Sequence, residues 1–513
     1  MNYLLGIDIG TSSTKTVLFD EKGEITTSAT DVYPLYQPRN GWAEQDADDW
    51  WNAAVTTIKE VLAKSKVNPK DIKGIGLSGQ MHGLVMLGKN NKPLRKSIIW
   101  CDQRTSLECD QITSLVGEEK LIEITANPAL TGFTASKIMW VKNNEPEIYN
   151  QCKKILLPKD YIRYKLTGEF ATEVSDASGM QLLDVPKRQW SSYVLEKLGI
   201  DINMLGKVYE SPQVTGTVTK EAAGLCGLAE GTPVVGGAGD QAASAVGNGI
   251  VKKGVISATI GTSGVVFAHL DNIAIDKKGR TQTFCHAVPG AWHIMGVTNT
   301  AGFSYKWFRD NFMTSEKFTA EQFDANPNTI IDKIAATSPP GANGLIYLPY
   351  LMGERAPHLD VNCRGVFFGL SSMHVKKDLL RAVMEGVIFS MNDCLNIIRE
   401  MGTSPSSIYA AGGGANSPLW RQMMADIMGV EIAVNNSTDS GALGVAILAG
   451  VGAGIYKDVV SACDSIIRKQ DSQTYQENNR SLYEEMYKIY TSLYTSLKKD
   501  FVELAKINQK FFV

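Results

Sequence analysis

The sequence predicts an α/β protein built from two related domains, and three observations predict it. The stretch IDIGTSS at 7–13 is echoed by ATIGTSG at 258–264, so one strand–turn device opens two halves of the chain. Apolar strands run through glycine turns into helices, as in TPVVGGAGDQAASAVGNG at 232–249, the passage that layered α/β domains require. At 513 residues the chain has room for two large cores.

In chain order, YLLGIDI, GTSS and TKTVLFD read as strand, turn and strand, with Gly23 opening the next turn in EKGEI. A helix is expected over Ala47–Lys64, with Asp46 as its N-cap. DIKGIGLSGQMHGLVML at 71–87 then reads as two apolar strands broken by glycines. GVISATIGTSGVVFAHL at 254–270 repeats the strand–turn–strand, and SIYAA passes through three glycines into a helix. Asn416 or Ser417 caps that helix, Pro418 opens it and Gly429 closes it. The uncharged SGALGVAILAGVGAGIY at 440–456 is at the short limit for a membrane span and holds five glycines, so it reads as a buried helix followed by a loop. Tyr483, Tyr487, Tyr490, Tyr494, Leu497, Phe501 and Leu504 form one stripe on a long final helix, expected to pack on the protein's own body or to serve as a subunit contact.

Composition narrows the function. A formal net charge of -3 gives no sign of a nucleic-acid or membrane-surface partner. Asp8 interrupts the only early apolar run, so no signal peptide is expected. The eight cysteines form no CxxC pair, which suits reduced thiols in the cytoplasm better than disulfides or zinc.

Both GTS turns place small residues where consecutive backbone N–H groups can face an anion, and a matched pair points to a polyphosphate ligand. No GxxxxGK[ST] is present. Gly74, Gly76 and Gly79 spell GxGxxG, but apolar residues carry a strand through them and another strand follows, so a dinucleotide site is rejected. Asp240 stands where a strand meets a helix: it can accept a proton from a substrate hydroxyl, or it can cap the helix. AAGGGANSPLW at 410–420 offers bare backbone at a helix start to a flat or phosphate-bearing ligand, or close strand–helix packing. His82, in a glycine-flanked loop, is a polar substrate contact or a structural histidine. Asp8, between Ile7 and Ile9, needs a partner that its neighbours cannot supply.

Taken in order, GIDIGTSSTK, SGQMHGLVML, IIWCDQRT, GFTASKIMW, LLPKDYIRYKLTGE, GGAGDQAAS, IGTSG, LPYLMGERAPH, RGVFFGL and AAGGGANSPLWRQMMADI resemble the FGGY carbohydrate kinases. The resemblance implies a two-domain, actin-like (ribonuclease-H-like) fold with an interdomain cleft. Residues 1–246 would form a sugar-binding domain, 247–455 an ATP-binding domain, and 456–513 a helical extension packed on the second. It implies ATP and Mg²⁺ as cofactors, a small-molecule sugar substrate, no nucleic acid or membrane partner, and a cytoplasmic homodimer.

The implied roles follow position by position. Asp240 is similar to the catalytic base, and Met81 and His82 to a substrate-binding pair of the branch acting on D-xylulose. Thr11, Ser12 and Ser13, and Gly261, Thr262 and Ser263, correspond to phosphate loops; Gly413, Gly414 and Asn416 fall at nucleotide contacts. Asp8 would face Mg²⁺ through water, with Asp240 a second water-mediated ligand. Gln241 stands where that branch carries a sugar-touching Asn, which leaves the sugar preference open. The implied reaction is ATP-dependent phosphorylation of D-xylulose to D-xylulose 5-phosphate. The alternatives are a sister kinase acting on ribulose, gluconate, glycerol or a sugar alcohol and, more remotely, an actin-like or chaperone-type ATPase.

Overall fold

In the computed structural model, which describes residues 1–512, the N-terminal strands are β1 (Tyr3–Ile9) and β2 (Ser13–Asp20), paired antiparallel with Asp8 opposite Lys15. β3 (Ile25–Val32) extends the pair after the turn at Gly23, and α1 (Ala47–Ser65) follows with Asp46 accepting from Asp48 N. β4 (Ile72–Gly79) returns parallel to β1. Helices α2 (Pro158–Thr167) and α3 (Val174–Ala177) come next, then β5 (Val214–Thr217), β6 (Pro233–Val235), β7 (Ala238–Gly239) and α4 (Asp240–Gly247). The sheet order is β5–β6–β4–β1–β2–β3, with β7 also on β4.

One face of this sheet buries Leu5, Ile7, Ile9, Ile75 and Leu77 together with Trp50 and Ile58 of α1. The other face buries Leu4, Val17 and Phe19 with Ala442, Val445 and Ala446 of the helix Ser440–Gly452. That helix accounts for the GxGxxG spelling: a Cβ on Gly76 would lie 1.9 Å from Val445 O, so the glycine admits helix backbone against the sheet, not a dinucleotide. It is also the uncharged segment singled out above. Among the described residues no helix is long and apolar enough to cross a membrane.

The second half repeats the plan. β8 (Val255–Ile260) and β9 (Gly264–Leu270) form the antiparallel hairpin, β10 is Trp292–Thr298, and β11 (Ser407–Gly412) lies parallel to β8 as β4 lies to β1. β12 (Ile432–Asn435) and β13 (Lys469–Gln473) extend it, so that β10–β9–β8–β11–β12–β13 are successive neighbours in a seven-stranded sheet. Its helices include α5 (Gly302–Phe312), α6 (Lys376–Glu400), α7 (Pro418–Met428), capped by Ser417 and closed by Gly429, and α8 (Glu477–Phe511). Tyr483, Tyr490, Tyr494 and Phe501 of α8 are buried on this half, with Tyr483 donating to Glu385 and Tyr490 bonded to Tyr350 at 3.0 Å. Leu504, expected on the same stripe, is 46% exposed.

Two compact units result: 1–252 with 269–293 and 437–468, and 253–268 with 294–436 and 469–513. They differ from the linear division 1–246, 247–455 and 456–513 because the helix Ser440–Gly452 packs on the first sheet and carries its neighbours, including 456–468, into the first unit.

Candidate active site

Register builds the site. Asp8 of β1 lies beside Ser78 of β4, and Ser78 beside Ala238 of β7; one step on, Ile9, Gly79 and Gly239 are aligned. Three parallel strands therefore end at one edge, the carboxyl edge where open α/β sheets place ligands. Asp240 emerges there as the first residue of α4.

Asp8 Oδ1 is sealed from solvent and accepts no hydrogen bond. Burial raises its pKa, which the Ser78 hydroxyl and Lys15 lower and Asp439 raises further. Lys15 is itself ion-paired to Asp439. An orphaned anionic oxygen at a strand end suits a hydrated divalent cation, which is commonly held by one or two carboxylates plus phosphates and water. Among the described residues no cluster of three or more His, Cys, Asp or Glu forms a metal cage.

Asp240 is not a helix cap. Gly239 holds the N-cap position, and Asp240 Oδ1 accepts from Gln241 N at 2.7 Å. Burial, and then Asp8, push the Asp240 carboxyl up to about 7, against the Gln241 amide and side chain. A carboxylate that holds and releases a proton near neutrality is what general-base catalysis needs. The bend before it depends on Gly237, whose φ is +70° and whose added Cβ would lie 2.0 Å from Leu77 O.

Met81 and His82 join this edge. Met81 packs on Gly239, where a Cβ would meet Met81 Cγ at 2.8 Å. His82, at φ +70°, directs Nδ1 to Gly179 O at 2.9 Å, and its ring rests 5.0 Å from Phe133. The first unit thus gathers Asp8, Met81, His82, Asp240 and Gln241.

The GTS turn beside them has its carbonyls occupied. Gly10 O accepts from the Tyr33 hydroxyl and from Gln80, Thr11 O from Gln45 at 2.6 Å, Ser12 O from Tyr33 N and Ser13 O from Gly10 N. Tying the negative ends of these peptides into the protein is the electrostatic arrangement of an anion-binding turn. The turn at 261–263 does the same by other means: Gly261 O and Thr262 O accept from Gly302 N and Phe303 N at the start of α5. Gly412–Gly414 pack on Ile260, so on the second unit the glycine run lies beside the Gly261–Ser263 turn. Gly413 and Asn416 are exposed there, and Gly414 is buried.

Models of the N-terminal and C-terminal domains of the FGGY carbohydrate kinases match residues 3–247 and 256–453. The chain is 37% identical to a xylulose kinase of Bacillus subtilis (strain 168) over 97% of its own length and 98% of that protein's. It is 34% identical to a gluconokinase of Bacillus licheniformis over 98% of each chain. Among solved structures, a ligand-bound xylulose kinase from Lactobacillus acidophilus superposes with a TM-score of 0.91 at 28% identity, covering 98% of this chain and 100% of that one. The chain belongs to the FGGY family of carbohydrate kinases.

For an FGGY kinase of actin-like fold, sequence reasoning missed several neighbours of the site. Trp100 Nε1 donates to Thr11 Oγ1 at 2.9 Å while its ring stays 41% exposed. Gln80 bridges Gly10 O and Gln45 Oε1, buttressing the first turn from below. Asp439 lies 424 residues from its partner Lys15, and no local pattern connects them. One signal was available: Lys159 and Arg163 share a helix face with Ile162 and Leu166, a sign of buried charge.

Proposed function

We propose that this FGGY kinase transfers the γ-phosphoryl group of ATP to the terminal hydroxyl of D-xylulose, giving D-xylulose 5-phosphate. The observation that carries the reading is Asp240 at the shared edge of β1, β4 and β7, poised near neutrality with Met81 and His82 packed against its bend. Xylulose kinases recur among the full-length relatives, which favours this sugar.

Phosphoryl transfer asks little covalent work of a protein, so positioning and charge stabilisation dominate. Asp240 takes the proton from the sugar hydroxyl as that oxygen attacks the γ-phosphate in line. Met81, His82 and Gln241 orient the sugar, and the amides of Thr11–Ser13 and Gly261–Ser263 receive phosphate oxygens. Gly413, Gly414 and Asn416 lie against the nucleotide. Asp8 and Asp240 would hold Mg²⁺ through water, and the ion would supply charge to neutralise the phosphates. The reading includes a cytoplasmic location and a homodimer, and light scattering checks the dimer.

The test is product identification. With Mg-ATP and D-xylulose, phosphorus NMR should show a new sugar phosphomonoester carried on the terminal carbon. Turnover of gluconate in preference to D-xylulose would overturn the substrate assignment and favour the sister reading that the gluconokinase relative supports and Gln241 leaves open.

A further inference from the structure

Beneath the site lies a sealed ion cluster that the proposed chemistry does not use. Lys159 Nζ sits 2.9 Å from Asp160, 3.1 Å from Asp176 and 3.3 Å from Glu173, and Arg163 pairs with Asp160. All five side chains are 0–1% exposed. Taking so many charges out of water is unfavourable by several kcal/mol per ion, and well-packed apolar residues often serve stability as well. Such a cluster therefore needs a reason beyond stability.

Its hydrogen bonds run outward to the site. Glu173 caps the first turn of α3, accepting from Ser175 N, Asp176 N, Ser175 Oγ and Ser211 Oγ at 2.8–2.9 Å. With its proton given to Glu173, Ser175 Oγ presents a lone pair and accepts from Gly239 N at 3.1 Å, one residue before Asp240. Arg163 Nη1 donates to Gly236 O at 2.8 Å, holding the other end of the same bend. Continuing from α3, the turn Ser178–Met180 presents Gly179 O to His82 Nδ1. One buried cluster thus grips the backbone on both sides of the Asp240 bend and the carbonyl that sets the His82 ring.

We propose that Ser175, locked by Glu173 and the Lys159 cluster, is a positioning residue that sets the aim of Asp240 for the reaction. The inference rests on the reading of Asp240 as the base. Ser175 touches no substrate; it acts through one peptide N–H, where a shift of about 1 Å at the reacting group can cost on the order of 100-fold in rate.

The experiment compares Ser175→Ala, Glu173→Gln and Asp240→Asn with the wild type, using the full chain, Mg-ATP and D-xylulose at a temperature where every variant is folded by circular dichroism. Ser175→Ala removes one buried oxygen and keeps the volume. It should lower kcat about tenfold while the KM values for ATP and D-xylulose stay within twofold, a split that a merely structural role would not produce. Glu173→Gln should lower kcat similarly, and it serves if Ser175→Ala fails to fold. If Ser175→Ala and Glu173→Gln both keep wild-type kcat while Asp240→Asn is inactive, the positioning role is wrong and the base assignment stands. If Asp240→Asn also turns over normally, the base assignment falls first.

Discussion

Asp240→Asn should remove activity and stabilise the fold at once. The wild-type carboxyl is moved from 3.8 to about 7 by burial and by Asp8. That is about three pH units at about 1.4 kcal/mol each, a ceiling of about 4 kcal/mol for keeping the charge. The residue is partly open to solvent, so screening brings the expected gain to about 2 kcal/mol. The sign follows from proton linkage. Between the unfolded and folded pKa values the folded chain binds a proton that the unfolded chain has released, so wild-type stability falls as pH rises from about 4 to about 7 and then levels off. Asn cannot ionise, and its carbonyl oxygen can keep the 2.7 Å bond from Gln241 N. Calorimetry at pH 5 and pH 8 should therefore show the variant melting about 2 °C above wild type at pH 8 and by clearly less at pH 5. Sugar-dependent turnover should fall by at least about 100-fold at both. A variant no more stable than wild type at pH 8, or one whose gain is larger at pH 5, would refute the claim that Asp240 is held ionised against its surroundings.

Other consequences follow from the same geometry. The pH profile of kcat/KM for the sugar should lose about tenfold per unit below an apparent pKa near 7, where burial and Asp8 place the Asp240 carboxyl; a flat profile from pH 5 to 8 would contradict it. His82→Ala should raise the sugar KM about tenfold with a smaller change in the KM for ATP, measured by initial rates. In Gly441→Ala the new Cβ would lie 3.1 Å from Asp8 Oδ2, so kcat should fall while the melting temperature changes by no more than about 3 °C. An unchanged kcat there would separate Asp8 from the reaction.

Much of this was legible in sequence because it is local. The echo between 7–13 and 258–264 pointed to two halves that each open on the same hairpin, as both sheets do, and Asp46, Ser417 and Gly429 act at the helix ends where their chemistry places them. Asp8 stood out as a carboxylate inside an apolar strand. Pairings set by tertiary register stayed hidden: nothing near Lys15 points to Asp439, and nothing near Gly239 points to Ser175. The same holds for the helix Ser440–Gly452. Its composition shows that it is buried, but not that Gly6, Gly74 and Gly76 are bare so that the first sheet can receive it.

The central claim is that this edge phosphorylates a sugar, and a coupled ADP-release assay tests it most directly. Mg-ATP would be offered with D-xylulose, D-ribulose, L-ribulose, L-xylulose, gluconate, glycerol, xylitol or no sugar. The account predicts strong, selective release with D-xylulose that Asp240→Asn abolishes. ADP release at the same rate with every sugar and with none would contradict it.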